Sequence, residues 1–168
     1  TALVRGDEFR ARNAVADMRR HAPVPLCGLN GASPSRAAIL HAEGVSYLLD
    51  GDPDRAQAIF ARAVDAATSA GLLPFVPVLL AERGIVALER DDWPEAESFA
   101  EQAVSIMQDG DYDDYWTSAL VYAWMARVAL HRGDVAQGRE HVARAGRLRP
   151  LLTYSLPVVS VQALLEMA

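Results

Sequence analysis

Closely spaced acidic side chains are the first group in this sequence that could do chemistry: Asp109, Asp111, Asp113 and Asp114. Oxygen ligands at alternate positions are typical of the start of a calcium-binding loop, but that loop also needs a glycine after the third acid and a later glutamate. Both are missing here. The other interpretation is a loop between helices whose acids precede a helix beginning near Tyr115, where the helix dipole favours negative charge. We favour this second interpretation, and we predict no metal and no cofactor.

The residues that usually act as nucleophiles, bases or metal ligands are also poorly arranged. The four histidines are His21, His41, His131 and His141. No two of them stand three or four residues apart, so a metal site or an acid–base site has no local support. Cys27, the single cysteine, cannot form an internal disulfide and has no neighbouring base in the sequence. We therefore predict that the chain is not an enzyme and that it resides in the reducing cytoplasm.

Composition excludes two classes of partner. The 168 residues carry a formal net charge of −6, and phosphate contacts need clustered lysine and arginine, so we predict no direct contact with nucleic acid. The longest apolar run, from Ala119 to Ala126, is far shorter than the roughly 18 residues of a membrane span, so we predict no membrane association. The chain begins without methionine, and we interpret it as a piece of a longer protein.

An internal repeat determines the predicted fold. Three turns, at residues 50–52, 90–92 and 132–134, each separate two stretches of helical apolar periodicity, and they recur about every 41 residues. A small residue precedes each turn, and a second small residue stands twelve positions after the first one. These pairs are Gly44 and Ala56, Gly84 and Ala96, and Ala126 and Gly138. Because small side chains let two antiparallel helices approach closely, each repeat is predicted to be a helix hairpin.

The turn residues support the same division. Asp52, Asp92 and Asp134 stand where the second helix of each hairpin needs an N-cap, and a proline follows within two residues in the first two repeats. Glu95 comes three residues after Asp92, which is the spacing of a capping box. We therefore expect each second helix to begin directly after its aspartate.

The whole chain, residues 1–168, is predicted to form one helical-repeat domain. The predicted hairpins are 35–70, 74–108 and 115–148, with the end of a preceding hairpin at 1–21 and the start of a further one at 155–168. A loop rich in proline and glycine separates the opening helix from the regular repeats. The predicted fold class is all-α, with antiparallel helix hairpins stacked into a right-handed superhelix.

The small-residue spacing resembles the tetratricopeptide repeat, although the period exceeds the roughly 34 residues usual for that repeat. The repeat length, the Arg-Gly-Asp turn at 132–134 and the segment at 147–157 are similar to the helical-repeat region of large LuxR-type transcription regulators, which share the domain plan of the maltose regulator. That resemblance implies a nucleotide-binding domain before the repeats, a DNA-binding helix-turn-helix after them, and repeats that sense an inducer or a partner protein. This chain has no phosphate-binding glycine-rich loop of its own.

A binding surface is expected on the first helices of the hairpins, because these helices line the concave side of such a superhelix. The candidate residues are His41, Val45, Leu48, Ala81, Glu82, Ile85, Leu88, Ala123, Trp124, Arg127 and Leu130. The surface is mainly apolar, which suits an amphipathic helix or an extended peptide, and Trp124 is expected to be partly exposed on it. Arg127 is expected either to orient a ligand carboxylate or to form a salt bridge with Glu82 or another acid. Neighbouring repeats of the parent protein could instead cover the surface.

Two functions follow from this pattern. The first is a binding and regulatory scaffold, the repeat region of a LuxR-type regulator that senses a protein, a peptide or a small-molecule effector. The alternative is a tetratricopeptide adaptor that assembles other proteins and is unrelated to transcription. Because a truncated helical stack leaves an apolar face, the chain is also expected to form homo-oligomers through an end or a groove.

Overall fold

The computed structural model describes residues 34–115 and 117–148, and 83% of these residues are helical, with no strand among them. The predicted segments 1–21 and 155–168, as well as Cys27, lie outside the described residues. Six α-helices and one short 3₁₀ turn at Leu73–Phe75 are present in this part of the chain. The helices are α1 (Pro34–Leu49), α2 (Pro53–Ser69), α3 (Val76–Glu89), α4 (Trp93–Asp109), α5 (Ser118–His131) and α6 (Val135–Leu148).

The helices pair in chain order into three antiparallel hairpins, α1 with α2, α3 with α4, and α5 with α6. Successive hairpins stack through α2 on α3 and through α4 on α5, and the first helices α3 and α5 also pack on each other. The all-helical hairpin stack predicted from the repeat is therefore confirmed. Within the described ranges, no helix is both long and apolar enough to cross a bilayer.

The second helices are amphipathic. In α2 the buried side chains are Ala56, Ile59, Phe60, Ala63 and Ala67, and in α4 they are Ala96, Phe99, Ala100, Ala103 and Met107. This spacing places the buried residues on one stripe of each helix and leaves the other side to solvent. The first helices differ, because every residue of α5 from Ser118 to Trp124 is buried. Helix α5 contacts α3, α4 and α6, so no polar side remains along this stretch.

Each hairpin turn has the same geometry. The residue before the capping aspartate has a left-handed backbone, with φ of 74° at Gly51, 58° at Asp91 and 77° at Gly133. The aspartate amide then donates to the carbonyl five residues earlier, at 2.9 to 3.0 Å in all three turns. This pair of features defines a Schellman motif, which satisfies the last carbonyls of the first helix.

The predicted N-caps are confirmed. The side chains of Asp52, Asp92 and Asp134 accept hydrogen bonds from the amides three residues later, at 3.1, 3.0 and 2.9 Å. The predicted capping box at Glu95 does not form. The Asp92 amide already donates to the Ala87 carbonyl in the turn, and the Glu95 carboxylate instead accepts from Gln57 Nε2 at 3.4 Å.

The small residues of the repeat permit close approach, but not always to the expected partner. At Gly44 a Cβ would stand 2.5 Å from the ring of Phe60, which belongs to the second helix of the same hairpin, as predicted. At Gly84 the three nearest atoms all belong to Trp124, which lies in the following hairpin. Gly84 therefore serves the joint between the second and third hairpins and not the crossing inside its own.

Candidate partner-binding site

The eleven side chains predicted to line the first helices fall into two groups. Eight of them are half-buried: His41, Val45, Leu48, Glu82, Ile85, Leu88, Arg127 and Leu130. Ala81, Ala123 and Trp124 are instead buried in the core, with 0%, 1% and 3% of their surface exposed. The expectation that Trp124 is partly exposed is wrong, because its indole fills the space that Gly84 leaves between α3 and α5. The first-helix face consists of the eight half-buried residues.

His41 and Glu82 join the first helices of the first two hairpins. His41 Nε2 lies 3.4 Å from Glu82 Oε1, and 13% and 14% of the two side chains are exposed. The imidazole also packs edge-on against Phe75, with ring centroids 5.4 Å apart. These contacts hold the joint between α1 and α3, so His41 and Glu82 position the first-helix face and do not offer ready contacts to a ligand.

Arg127 is the half-buried cation of this face. Across residues 34–115 and 117–148, its guanidinium has no hydrogen-bond or ion-pair partner. The predicted salt bridge to Glu82 is absent, since that carboxylate contacts His41. A guanidinium held on a mainly apolar face without a partner is able to receive a carboxylate through charge-assisted hydrogen bonds.

Within the acidic run after α4, the side chain of Asp113 makes contacts within the protein. Asp113 Oδ1 accepts a 2.6 Å hydrogen bond from the Tyr122 hydroxyl and lies 3.6 Å from Arg144 Nη2. The guanidinium of Arg144 also stands over the Tyr122 ring, 4.6 Å from its centroid. Burial and the bond to Asp113 raise the pKa of Tyr122 above its ordinary value. Asp113 therefore ties the inter-hairpin loop to α5 and α6.

A cavity of about 290 Å³ lies elsewhere, between the second helices α4 and α6 with α5 beneath it. Its lining residues are Glu97, Ala100, Glu101, Val104, Ser105, Gln108, Met125, Val128, Ala129, Arg132, Gln137 and His141. None of these residues is among the candidates taken from the sequence. Aligning the repeats with one another, position by position, could have pointed to this region. The spacing of apolar residues alone does not.

An ion-pair cluster forms one end of this cavity. Arg132 Nη2 lies 2.7 Å from one oxygen of Glu97 while its Nε donates to the other at 3.0 Å, and Glu101 lies 3.8 Å away. This hydrogen bonding lowers the pKa of Glu97 and raises that of Arg132. Further along, His141 is 9% exposed, and its burial lowers the pKa of the imidazole. The cavity therefore combines an apolar floor with charged and polar edges.

Comparison with known proteins agrees with this fold. Models of the tetratricopeptide repeat match residues 35–109 and 119–144. The chain therefore contains tetratricopeptide repeats across all three hairpins. Such repeats form scaffolds for protein–protein interaction and are generally non-catalytic.

A solved structure extends the likeness to the fold. The crystal structure of BtubC (BKLC) from P. vanneervenii is similar with a TM-score of 0.58 and 17% sequence identity, and the match covers 94% of this chain. This chain spans 65% of the length of that protein. No curated protein matches the sequence significantly.

Proposed function

We propose that this chain is a binding scaffold whose first-helix face receives a segment of a partner protein that bears a carboxylate. The observation that carries the proposal is Arg127, a half-buried guanidinium without a partner in the described part of the chain. The half-buried apolar side chains of the same face, among them Ile85 and Leu130, supply the remaining contact surface. Each apolar side chain that a partner buries fully contributes roughly 1.5 to 3 kcal/mol, while the ion pair sets orientation.

The finer proposal places the domain in a cytoplasmic transcription regulator of the LuxR type. Its support is the similarity of the repeat length, the Arg-Gly-Asp turn and the segment at 147–157 to that family. In such a regulator, an effector changes the equilibrium between inactive and active arrangements only through its differential affinity for the two. Formation of homo-oligomers would be a second way to change the balance between inactive and active arrangements. Light scattering of the full chain would measure its oligomeric state. The test is to translate the same reading frame downstream of this chain. A helix-turn-helix found there would support the LuxR-type regulator, and its absence would favour the adaptor function.

Peptide binding tests the first-helix face directly. Fluorescence anisotropy would compare a library of peptides that carry a free C-terminal carboxylate with the same peptides amidated at the C-terminus. For peptides that bind, we expect Arg127→Ala to weaken affinity by roughly tenfold, which corresponds to the loss of one charge-assisted hydrogen-bond pair. Ile85→Asp should also weaken binding, because it places a charge on the apolar surface that the partner would bury.

Arg62→Ala provides the matched control, because Arg62 is an exposed arginine on the second helix of the first hairpin. It should leave the affinity unchanged. Circular dichroism checks that all variants have the same helical content before their affinities are compared. If Arg127→Ala and Arg62→Ala change affinity alike while both remain folded, the first-helix face is not the binding site.

A further inference from the structure

The three hairpins create two equivalent grooves between their second helices. The first groove is formed by α2, α3 and α4, and the second groove, which holds the 290 Å³ cavity, is formed by α4, α5 and α6. The N-cap aspartates and left-handed turn residues fix the correspondence, with an offset of 40 residues from the first hairpin to the second and 42 from the second to the third. Each position of one groove can therefore be compared with its counterpart in the other.

An arginine of the protein itself occupies the first groove. The guanidinium carbon of Arg83, on α3, stands 4.2 Å from the centre of the Phe99 ring on α4, and its Nε donates to Gln57 Oε1 on α2 at 3.4 Å. Burial lowers the pKa of Arg83, while the charges of Glu95 and Asp65 oppose that shift. The half-buried cation thus bridges the two second helices.

The second groove lacks that cation. The position of Arg83 is taken by Met125, whose side chain carries no charge and makes no hydrogen bond of this kind, and the position of Phe99 is taken by His141. Both replacements line the cavity. A flat ring therefore remains at the place where Arg83 contacts Phe99. This ring lines the cavity, is 9% exposed, and has the Tyr122 ring beside it at a centroid distance of 6.2 Å.

The charges of the second groove suit a cation. Its lining contains two carboxylates, Glu97 and Glu101, against one guanidinium, Arg132, so one negative charge is left uncompensated. Glu101 is the weaker partner of Arg132 at 3.8 Å, and 75% of its side chain is exposed. Burial lowers the pKa of His141, which disfavours the charged form of the ring.

We propose that the second groove binds an arginine side chain of a partner protein, stacked at the place that Arg83 fills in the first groove. Glu97, the counterpart of Gln57, is already bound by Arg132, so Glu101 is the carboxylate left for this arginine. The guanidinium stacks on the His141 ring and pairs with Glu101, and the aliphatic stem lies along Met125 and Val104. A planar cation with five donors matches this mixture of ring face, carboxylate and side-chain amide, whereas a lysine ammonium offers no flat surface for stacking. This site is separate from the first-helix face, so an experiment can refute either binding proposal without refuting the other.

The test uses N-acetyl-arginine amide as the probe and N-acetyl-citrulline amide, its neutral analogue of nearly equal shape, as the control. The full chain is labelled with ¹³C at the methyl groups of its four methionines, and the signals are followed during titration. We expect the Met125 methyl to shift with a Kd on the order of millimolar for arginine amide, and roughly tenfold weaker for citrulline amide. Met107, which is 1% exposed in the core, should not shift.

Variants that exchange the arginine and the methionine between the two grooves test the proposal in both directions. Met125→Arg supplies the missing guanidinium from within, so it should abolish binding of the probe. Arg83→Met empties the first groove, so its additional methionine methyl should respond to the probe as a second site. Glu101→Gln, an exposed change with little effect on folding, should weaken binding severalfold. Equal affinity for arginine and citrulline amides, an unmoved Met125 methyl, or unchanged binding by Glu101→Gln would each overturn the proposal.

Discussion

Gly84 and Trp124 pack tightly between the second and third hairpins: a Cβ at Gly84 would stand 2.7 Å from Cε2 of the indole and 2.8 Å from Nε1. Real Cβ atoms essentially never approach other atoms this closely. The glycine thus allows a bulky ring to lie between two helices that pack directly on each other. Trp124 is 3% exposed, so the ring is enclosed by protein and has little room to move aside.

Gly84→Ala should therefore separate α3 from α5. We expect the free energy of unfolding to fall by about 1 to 3 kcal/mol, because overpacking outweighs the gain in helix propensity. Urea denaturation followed by circular dichroism measures this change. Gly146→Ala is the matched control, since this exposed glycine of α6 has no atom within 4 Å of its Cβ position. It should raise stability by roughly 0.5 to 1 kcal/mol. Equal effects of the two variants would contradict the close-packing account.

Asp91 occupies a turn position where the other two hairpins have glycine. Its φ is 58°, and the equivalent residues Gly51 and Gly133 have φ of 74° and 77°. A side chain in this left-handed region is strained, although aspartate tolerates it better than most residues. We expect Asp91→Gly to stabilise the chain by about 0.5 to 1 kcal/mol and Gly133→Asp to destabilise it similarly. Thermal unfolding of both variants checks the pair, and a loss of stability in Asp91→Gly would be inconsistent with strain.

The stability of the third hairpin should depend on pH through His141. Desolvation is the main cause of its lowered pKa, Arg144 adds to the shift, and the charges of Glu140 and Asp134 oppose it. Because the folded pKa is below the ordinary 6.5, the unfolded chain binds a proton first as the pH falls below that value. Folding is then penalised, whereas above about pH 7 both states are neutral and the penalty vanishes.

Replacing His141 by the residue of the second hairpin tests this dependence. His141→Phe copies Phe99, so it should reduce the fall in Tm between about pH 7.5 and about pH 5. His131→Phe alters an exposed histidine instead and serves as the control for a change in histidine number. A pH dependence that is as steep in His141→Phe as in the original chain would show that other groups cause it.

The Tyr122 hydroxyl is expected to stabilise the loop before α5. It donates to Asp113 at 2.6 Å, so Tyr122→Phe should lower the free energy of unfolding by about 0.5 to 1.5 kcal/mol. The Arg144 guanidinium still has the aromatic ring beneath it in this variant. Hydrogen exchange should show faster opening around Asp113 than in the original chain. Unchanged exchange there would mean that the bond contributes nothing to the loop.

The helices and turns could be predicted from the sequence because their signals are local. Aspartate caps act within a few residues and mark the start of α2, α4 and α6. A nearby proline supports the first two of these starts, and a left-handed glycine precedes the first and the third. The environment of Trp124 could not be predicted in this way. Its helix is buried along Ser118–Trp124, so the apolar pattern has no polar side from which to infer an exposed face. The replacement of Arg83 by Met125 is visible in the sequence, but its meaning depends on the contact between Arg83 and Phe99 across two helices.

The bridging position of Arg83 also has a mechanical consequence. This side chain links α2 to α4 across the first groove, and His41 with Glu82 links α1 to α3 on the other face, so the first joint is braced on both sides. The second joint is wedged by Trp124 on one face, and on the other face the Arg132–Glu97 ion pair closes one end of a cavity. A partner side chain that filled the rest of this cavity, between α4 and α6, would therefore restrict bending at the second joint.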